Sequence, residues 1–508
     1  MAGDLSTRDA LGIIVVSALG THAIFKRWEI KHILVVSTLL LFLPAALSTL
    51  LIPHLGSFKG IAAGFSVYFI TLLSSITLYR ISPFHPLAHY PGPLLPKISK
   101  IYHIAKVSSG KQHLYLQELH NQYGDIVRFG PNEVSIRDAS CIMPVLGAQG
   151  MPKGPMWQGR HFWTEVHTLI GFRDPKAHQR RRRPWNRAFN TAAMKEYTPL
   201  MQNRVRELGD ALVARQGQVV DLAEWIGFFT YDFMGDMVFG GWTNMVREGG
   251  DRERLWEVVK SGLKYDTCPN SISMLTDGAE KEDPPKHTVV VDGGLALVAG
   301  SDTTSSVLSS IFYCLLRHPD TYDRLQAEVD KFYPPGEDSL DPSHLSDMNY
   351  LEAVISEGLR LFPAVPSGSQ RAPEIGTGGK LVGPYYIPEG TQTRIHFWSV
   401  HRDPRYFSRP EAFWPDRWLI AEGLQAHAAG DEPFVHNPNA WTPFSFGPSN
   451  CVGKNLALQE MRMVLVHLMH RLIVRLADGW DPAQYEREME DRFVFSIGRL
   501  PVVVERRD

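Results

Sequence analysis

Three stretches near the N-terminus carry apolar residues with almost no polar interruption. Ile33 to Ile52 is an uncharged run of 20 residues. As a helix rising 1.5 Å per residue it would span about 30 Å, the thickness of a bilayer's hydrocarbon core. Ile61 to Tyr79 is a second uncharged run, and Leu11 to Phe25 is a shorter one that contains His22. No small-residue cleavage site precedes the charges after the first run, which argues against a cleaved signal peptide. The pattern predicts an anchor of two or three transmembrane helices over residues 1–82. "SPFHPLAHYPGPLLPKI" follows, with five prolines in residues 83–96. It predicts a stiff, non-helical hinge over 83–97, with a further domain over 98–508.

Beyond the hinge the pattern alternates between two periods. "YGDIVRFGPNEVSIRDA" alternates apolar and polar residues around a Gly-Pro turn and predicts a small hairpin. Residues 176–263 read as helical. Residues 286–318 carry a long apolar-periodic run that predicts one central helix. Tyr350 to Phe362 predicts another helix, stopped by Pro363. "GGKLVGPYYIPEGTQTRIHFW" predicts short strands with turns, 454–475 a helix, and "RFVFSIGRLPVVVER" terminal strands. The expected fold class is mainly α with small β-sheets, preceded by a transmembrane helical anchor.

Charge adds an orientation. Lys26, Arg27, Lys31 and His32 lie between the first two apolar runs, and only Lys59 lies between the second and third. Arg80, Lys97 and Lys100 follow the third. Positive loops favour the cytoplasm, so three spans place residues 81–508 on that side. A net charge of −2 over 508 residues gives no basic field for nucleic acid. Cys141, Cys268, Cys314 and Cys451 form no paired spacing, which excludes a disulfide framework or a zinc site.

One of these cysteines stands in unusual company. In "FSFGPSNCVG", Cys451 lies between Gly447 and Gly453, just before the helix expected from Lys454. The glycines allow a tight turn and a close approach to a flat ligand, and Phe444 offers an aromatic wall. A helix N-terminus favours a thiolate, which predicts a lowered thiol pKa and a metal-ligating role. A buried free cysteine is the competing reading.

The segment resembles the haem-binding loop of the cytochrome P-450 family, F-x-x-G-x-R-x-C-x-G, through Phe444, Gly447, Cys451 and Gly453. Ser449 departs from it, since the family usually has an arginine there that binds a haem propionate. Glu357 and Arg360 in "EGLR" resemble the family's E-x-x-R helix, and Arg417 in "FWPDRW" its third charged member. "AGSDTT" resembles the oxygen-activating segment, with Asp302 and Thr303 as the acid–alcohol pair that relays protons. In "HQRRRRPWNRAF", His178 stands where the family has tryptophan and Arg182 at its propionate arginine, and Arg371 in "QRAP" fits another.

The resemblance implies a cytochrome P-450 fold and a haem b with Cys451 as axial iron ligand. It implies a fungal microsomal monooxygenase that inserts one oxygen atom of O2 into an apolar small molecule, a secondary metabolite such as a terpenoid or aromatic, or a xenobiotic. Electrons would come from an NADPH-dependent cytochrome reductase or a cytochrome b-type donor, docked on Arg180 to Arg183 and Lys454. Membrane lipid would surround the anchor, and the location would be the endoplasmic reticulum membrane with the catalytic domain cytoplasmic. By the same analogy the interval from Phe189 to Asp302 is short by roughly fifty residues, with the break near 264–275. That leaves open a haem-binding membrane protein without useful catalysis. A haem-thiolate isomerase or dehydratase would keep the same fold.

Overall fold

The computed structural model describes residues 5–28, 30, 32–159, 167–241, 243–251, 286–427 and 433–507. The interval expected to be shortened, near 264–275, lies outside the described residues. The chain forms two compact units, one of Met1–Tyr102 with Arg128–Pro131 and one of His103–Val127 with Asn132–Asp508.

In the first unit each apolar run is a helix: α1 (Thr7–Arg27), α2 (Ile33–Leu55) and α3 (Ser57–Ile81). All three are long and apolar enough to cross a membrane. Ser6 caps α1 by accepting from the Asp9 amide at 3.2 Å. Small residues let the helices meet closely. A Cβ on Gly64 would lie 2.2 Å from Ser48 Oγ. Tyr68 crosses the interior, its hydroxyl 2.6 Å from Thr21 Oγ1 and donating to the Leu39 carbonyl at 2.8 Å. The hinge departs from its expected non-helical form, because Leu94–Ile98 closes one short helix.

The second unit is built around the predicted central helix. The strands of the predicted hairpin are β1 (Ile126–Gly130) and β2 (Glu133–Ile136). The helical pattern after 176 is divided among α4 (Pro175–Ala188), α5 (Thr191–Val213) and α6 (Leu222–Phe239), with a strand, β3 (Val219–Asp221), between the last two. Then come α7 (Lys286–Arg317) and α8 (Asn349–Leu361). The strands β4 (Lys380–Val382) and β5 (Tyr385–Ile387) form an antiparallel hairpin. β6 (Gln392–Ile395) pairs in parallel with β2. The short helix α9 (Asp416–Ala421) and the long α10 (Lys454–Arg471) complete the helical set used below.

The helix expected over 454–475 stops at Arg471 and becomes β7 (Leu472–Leu476). There Leu472 and Val474 are buried while Ile473 and Arg475 are exposed, a period of two rather than 3.6. The terminal strands are β8 (Glu490–Asp491), β9 (Phe495–Ser496) and β10 (Pro501–Arg506). β10 sits between β3 and β7, with Val502 opposite both Val220 and Leu476. On α7, Leu308, Ile311, Phe312 and Leu315 are fully buried and recur at helical spacing. α6 lies along α7. It approaches so closely at Gly300 that a Cβ there would be 2.6 Å from Met234 Sδ.

Candidate functional site

The loop before α10 is shaped by one glycine. Gly447 has φ +74, and a Cβ on it would lie 2.2 Å from the Leu146 carbonyl oxygen. No other residue type fits there without displacing backbone. The Cys451 amide then donates to the Phe444 carbonyl at 2.9 Å, closing the loop, and Gly453 caps the helix that follows. Cys451 is exposed where it opens into an apolar cavity of about 170 Å³. Phe444, Val452 and Gly453 line it from the loop, Ala299, Gly300 and Thr303 from α7. The thiol pKa is not lowered as the helix N-terminus suggested. Burial raises it, against the Gly453 amide, Arg182 and Lys454, and burial wins.

Next to this cavity lies a chamber of about 1040 Å³ with cationic walls. Asp174 caps α4 by accepting from the Lys176 amide at 2.9 Å. The helix then presents His178 and Arg182 on one face, four residues apart. Both line the chamber, as do Arg371 and Ser449. Arg182 donates to the Asn450 carbonyl at 2.6 Å and to its side-chain oxygen at 2.7 Å, tying α4 to the cysteine loop. A further lining residue, Lys153, was not visible in the sequence. Burial lowers its pKa to about 7, helped by Arg371 and Arg182. Burial takes His178 down to about 3, with Lys153, Arg182 and Arg371 adding to the effect. Burial lowers Arg371 to about 10. The acid among the chamber's lining residues is Glu374, which is exposed.

The arginine run divides differently from expectation. Arg180 and Arg183 are exposed, as is Lys454. Arg181 turns inward along with Arg182 and pairs with the fully buried Asp292 of α7. Asp292 also accepts from Trp185 Nε1 at 3.1 Å and the Leu169 amide at 3.2 Å.

On α7 the acid–alcohol pair is split. Thr303 faces the Cys451 cavity, its hydroxyl donating to the Ala299 carbonyl at 2.7 Å. Asp302 is not among the residues lining that cavity. It turns toward α6, where the Tyr231 hydroxyl donates to Asp302 Oδ1 at 2.7 Å. Burial raises the Asp302 pKa, and the bond from Tyr231 opposes the shift.

The charged network is assembled as the spacing suggested. Glu357, Arg360 and Arg417 are all fully buried. Arg360 Nη2 donates to Glu357 Oε1 at 2.8 Å, and Arg417 Nε reaches Glu357 Oε2 at 3.0 Å. The Trp414 amide and Trp418 Nε1 also donate to this carboxylate, at 2.9 and 3.0 Å. It thereby joins α8, α9 and the segment before α9.

A profile of the cytochrome P450 family matches residues 91–261 and 253–500. The chain belongs to the cytochrome P450 family. It is 31% identical over 488 aligned residues to the cytochrome P450 monooxygenase FCK2 of Fusarium pseudograminearum, covering 86% of this chain and 85% of that one. It is 31% identical over 546 aligned positions to the cytochrome P450 monooxygenase nodW of Hypoxylon pulicicidum, covering 98% of each. To the tryprostatin B 6-hydroxylase of Aspergillus fumigatus it is 30% identical over 497, covering 88% of this chain and 86% of that one.

This P450 is therefore an oxidoreductase of the monooxygenase class, with a mainly helical fold and three apolar N-terminal helices. The family implies a cysteine-ligated haem, dioxygen, an organic substrate and a redox partner. The residues present fit such a group. A thiol opens into an apolar cavity beside a glycine-thinned helix. Among the described residues, the adjoining chamber gathers buried cations with the exposed Glu374 as the one lining acid, and Arg371 Nε is buried without a partner. A flat apolar ligand with an acidic edge satisfies both halves.

Proposed function

We propose that this P450 is a membrane-anchored monooxygenase that inserts one oxygen atom of O2 into an apolar small molecule of fungal secondary metabolism. The observation that carries it is the opening of Cys451 into the same cavity as Thr303, with the cationic chamber beside it. Cys451 would bind the haem iron as thiolate. Phe444, Gly447 and Gly453 would form the loop that presents the thiolate, and His178, Arg182 and Arg371 would hold the group's acidic edge. When bound, a thiolate-ligated haem supplies the cleavage of dioxygen, one atom going to substrate and one to water.

The chain's own part is positioning and proton supply. Thr303 holds a proton at Oγ1 on the cavity wall. Asp302, kept by burial closer to its protonated form, is the acid that replenishes it. Its carboxyl must leave Tyr231 to do so. Glu357, Arg360 and Arg417 hold the core beneath the cysteine loop without touching the reacting atoms.

Two electrons per turnover would come from an NADPH-dependent reductase, with a cytochrome b-type protein as the alternative donor for the second. The exposed Arg180, Arg183 and Lys454 support its docking on this face. α1, α2 and α3 would anchor the protein, and the positive residues flanking them support a cytoplasmic catalytic domain on the endoplasmic reticulum. The tryprostatin B 6-hydroxylase among its relatives supports a secondary metabolite as substrate over a foreign aromatic.

A second reading is favoured by a separate observation. The family profile matches in two pieces meeting at 253–261, and the alignment of 546 positions to the Hypoxylon relative exceeds the 508 residues of this chain. Both support a chain shortened relative to the family, the profile's break at 253–261 falling just before the expected 264–275 interval, and its haem would then be less shielded from water and its reducing equivalents lost. Microsomes holding the full chain, its reductase and NADPH under ¹⁸O₂ test the proposal against a panel of prenylated indoles and sesquiterpenes. One ¹⁸O in a product supports it. NADPH consumption with peroxide and no oxygenated product supports the second reading.

A further inference from the structure

We propose that Lys153 supplies the cation that the cysteine loop lacks at Ser449, holding the acidic edge of the haem together with His178, Arg182 and Arg371. The proposal rests on the haem reading above.

Lys153 lies in "MPKGPMW", far in sequence from Arg182 and Arg371 and from the neutral His178. Pairing of the chain with the Arg371 segment brings it to them. Lys153 forms a β-bridge with Arg371, and the flanking amides of Gly154 and Ala372 donate to the Gln370 and Pro152 carbonyls at 3.0 and 3.1 Å. The two cations are thus fixed to one wall by backbone. Lys153 is 6% exposed, and its ammonium donates to the Leu169 carbonyl at 3.3 Å and the Ile170 carbonyl at 2.8 Å. The ring of Trp157 lies 5.7 Å from the same nitrogen. Carbonyls and a ring solvate an ammonium but do not neutralise it.

Among the described residues, the charged groups lining the chamber around Lys153 are positive except Glu374. Arg371, Arg182 and His178 share the chamber with it. Arg173 also lines it and donates to the Lys153 carbonyl at 3.1 Å, and Lys380 and the exposed Glu374 complete the rim. Lys153 is depressed toward neutrality by burial and by two of these arginines, so the cluster is unfavourable by itself. An anionic group in the chamber reverses each of those penalties at once. Ser449 lines the same chamber. It offers a hydroxyl where the family's loop offers a guanidinium, so one positive charge is absent from that wall while Lys153 stands on another.

A merely structural lysine would tie the Lys153 segment to the Leu169–Ile170 turn and nothing more. The test separates the two. Full-length protein is prepared as wild type, Lys153→Met, Lys153→Arg and Lys153→Met/Ser449→Arg. Haem loss to an excess of apomyoglobin is timed, and the ferric/ferrous midpoint potential is measured. One charge-assisted hydrogen bond predicts that Lys153→Met loses haem about tenfold or more faster, with a more negative potential. Lys153→Arg is expected to stay within about twofold of wild type. Adding Ser449→Arg to Lys153→Met is expected to restore retention and potential, because the charge returns to the chamber from the other wall. A wild-type loss rate in Lys153→Met overturns the proposal. So does faster loss that Ser449→Arg fails to restore, which marks a structural tie. A wild-type protein without haem overturns the underlying haem reading instead.

Discussion

Replacing Glu357 by glutamine removes a charge without changing volume, at a place where both partners are fully buried. Arg360 Nε and Nη2 donate to the carboxylate at 2.9 and 2.8 Å, and Arg417 Nε spans both oxygens at 3.1 and 3.0 Å. A neutral amide offers one acceptor oxygen, and its NH₂ would face guanidinium N–H groups. The arginines would keep only backbone carbonyls: those of His401, Pro410 and Ala412 for Arg360, and those of Ser408 and Arg409 for Arg417. Removing one member of a buried ion pair costs roughly 3–5 kcal/mol, since it leaves uncompensated charge. Against a typical total of about 5–15 kcal/mol, that is a large fraction.

The assay is urea unfolding of full-length protein in detergent, followed by tryptophan fluorescence. Glu357→Gln is expected to lower the midpoint. pH adds an independent check. Burial acts to raise the Glu357 pKa, but Arg360 and Arg417 overcome it and the net shift is below its ordinary 4.5. The unfolded chain therefore binds this proton first. The stabilisation is full above about 4.5 and is lost as pH falls through the folded value, so Glu357→Gln should flatten the acid limb. A Glu357→Gln protein within about 0.5 kcal/mol of wild type would refute the reasoning.

Two further variants bear on the loop and the cavity. Gly447→Ala places a methyl 2.2 Å from the Leu146 carbonyl at φ +74, so haem-loaded yield is expected to collapse while α1–α3 still insert, read by the ratio of haem absorbance to membrane-bound protein. Thr303→Ala gives up only a back-bond to Ala299, so helicity by circular dichroism should hold. Its product formed per NADPH is expected to fall roughly tenfold or more as peroxide rises.

The parts of the fold legible in sequence are those with local causes. Uncharged runs gave α1, α2 and α3 to within a few residues, and apolar periodicity gave α7. β7 was read as more helix because "RLIVRL" continues an apolar stretch, and only its pairing with β10 shows the period of two. The cysteine loop and Thr303 were legible because turn glycines and motif order are local. Lys153 was not, since it reaches the chamber through a β-bridge to a residue over two hundred positions away. Tyr231 lies in an apolar stretch of α6, and its bond to Asp302 depends on how α6 lies along α7. Asp302 was expected to share the cavity wall with its neighbour Thr303. Its turn away from the cavity is a matter of one step round a helix, which needs the neighbouring helix to settle.

The most direct measurement is the carbon monoxide difference spectrum of reduced membranes carrying the full chain, beside the same membranes with Cys451→Ser. A Soret band near 450 nm in the first, as a thiolate-ligated haem gives, and its loss in the second is the expected result. A band near 420 nm in the wild-type chain, or one near 450 nm that survives Cys451→Ser, would contradict Cys451 as the iron ligand.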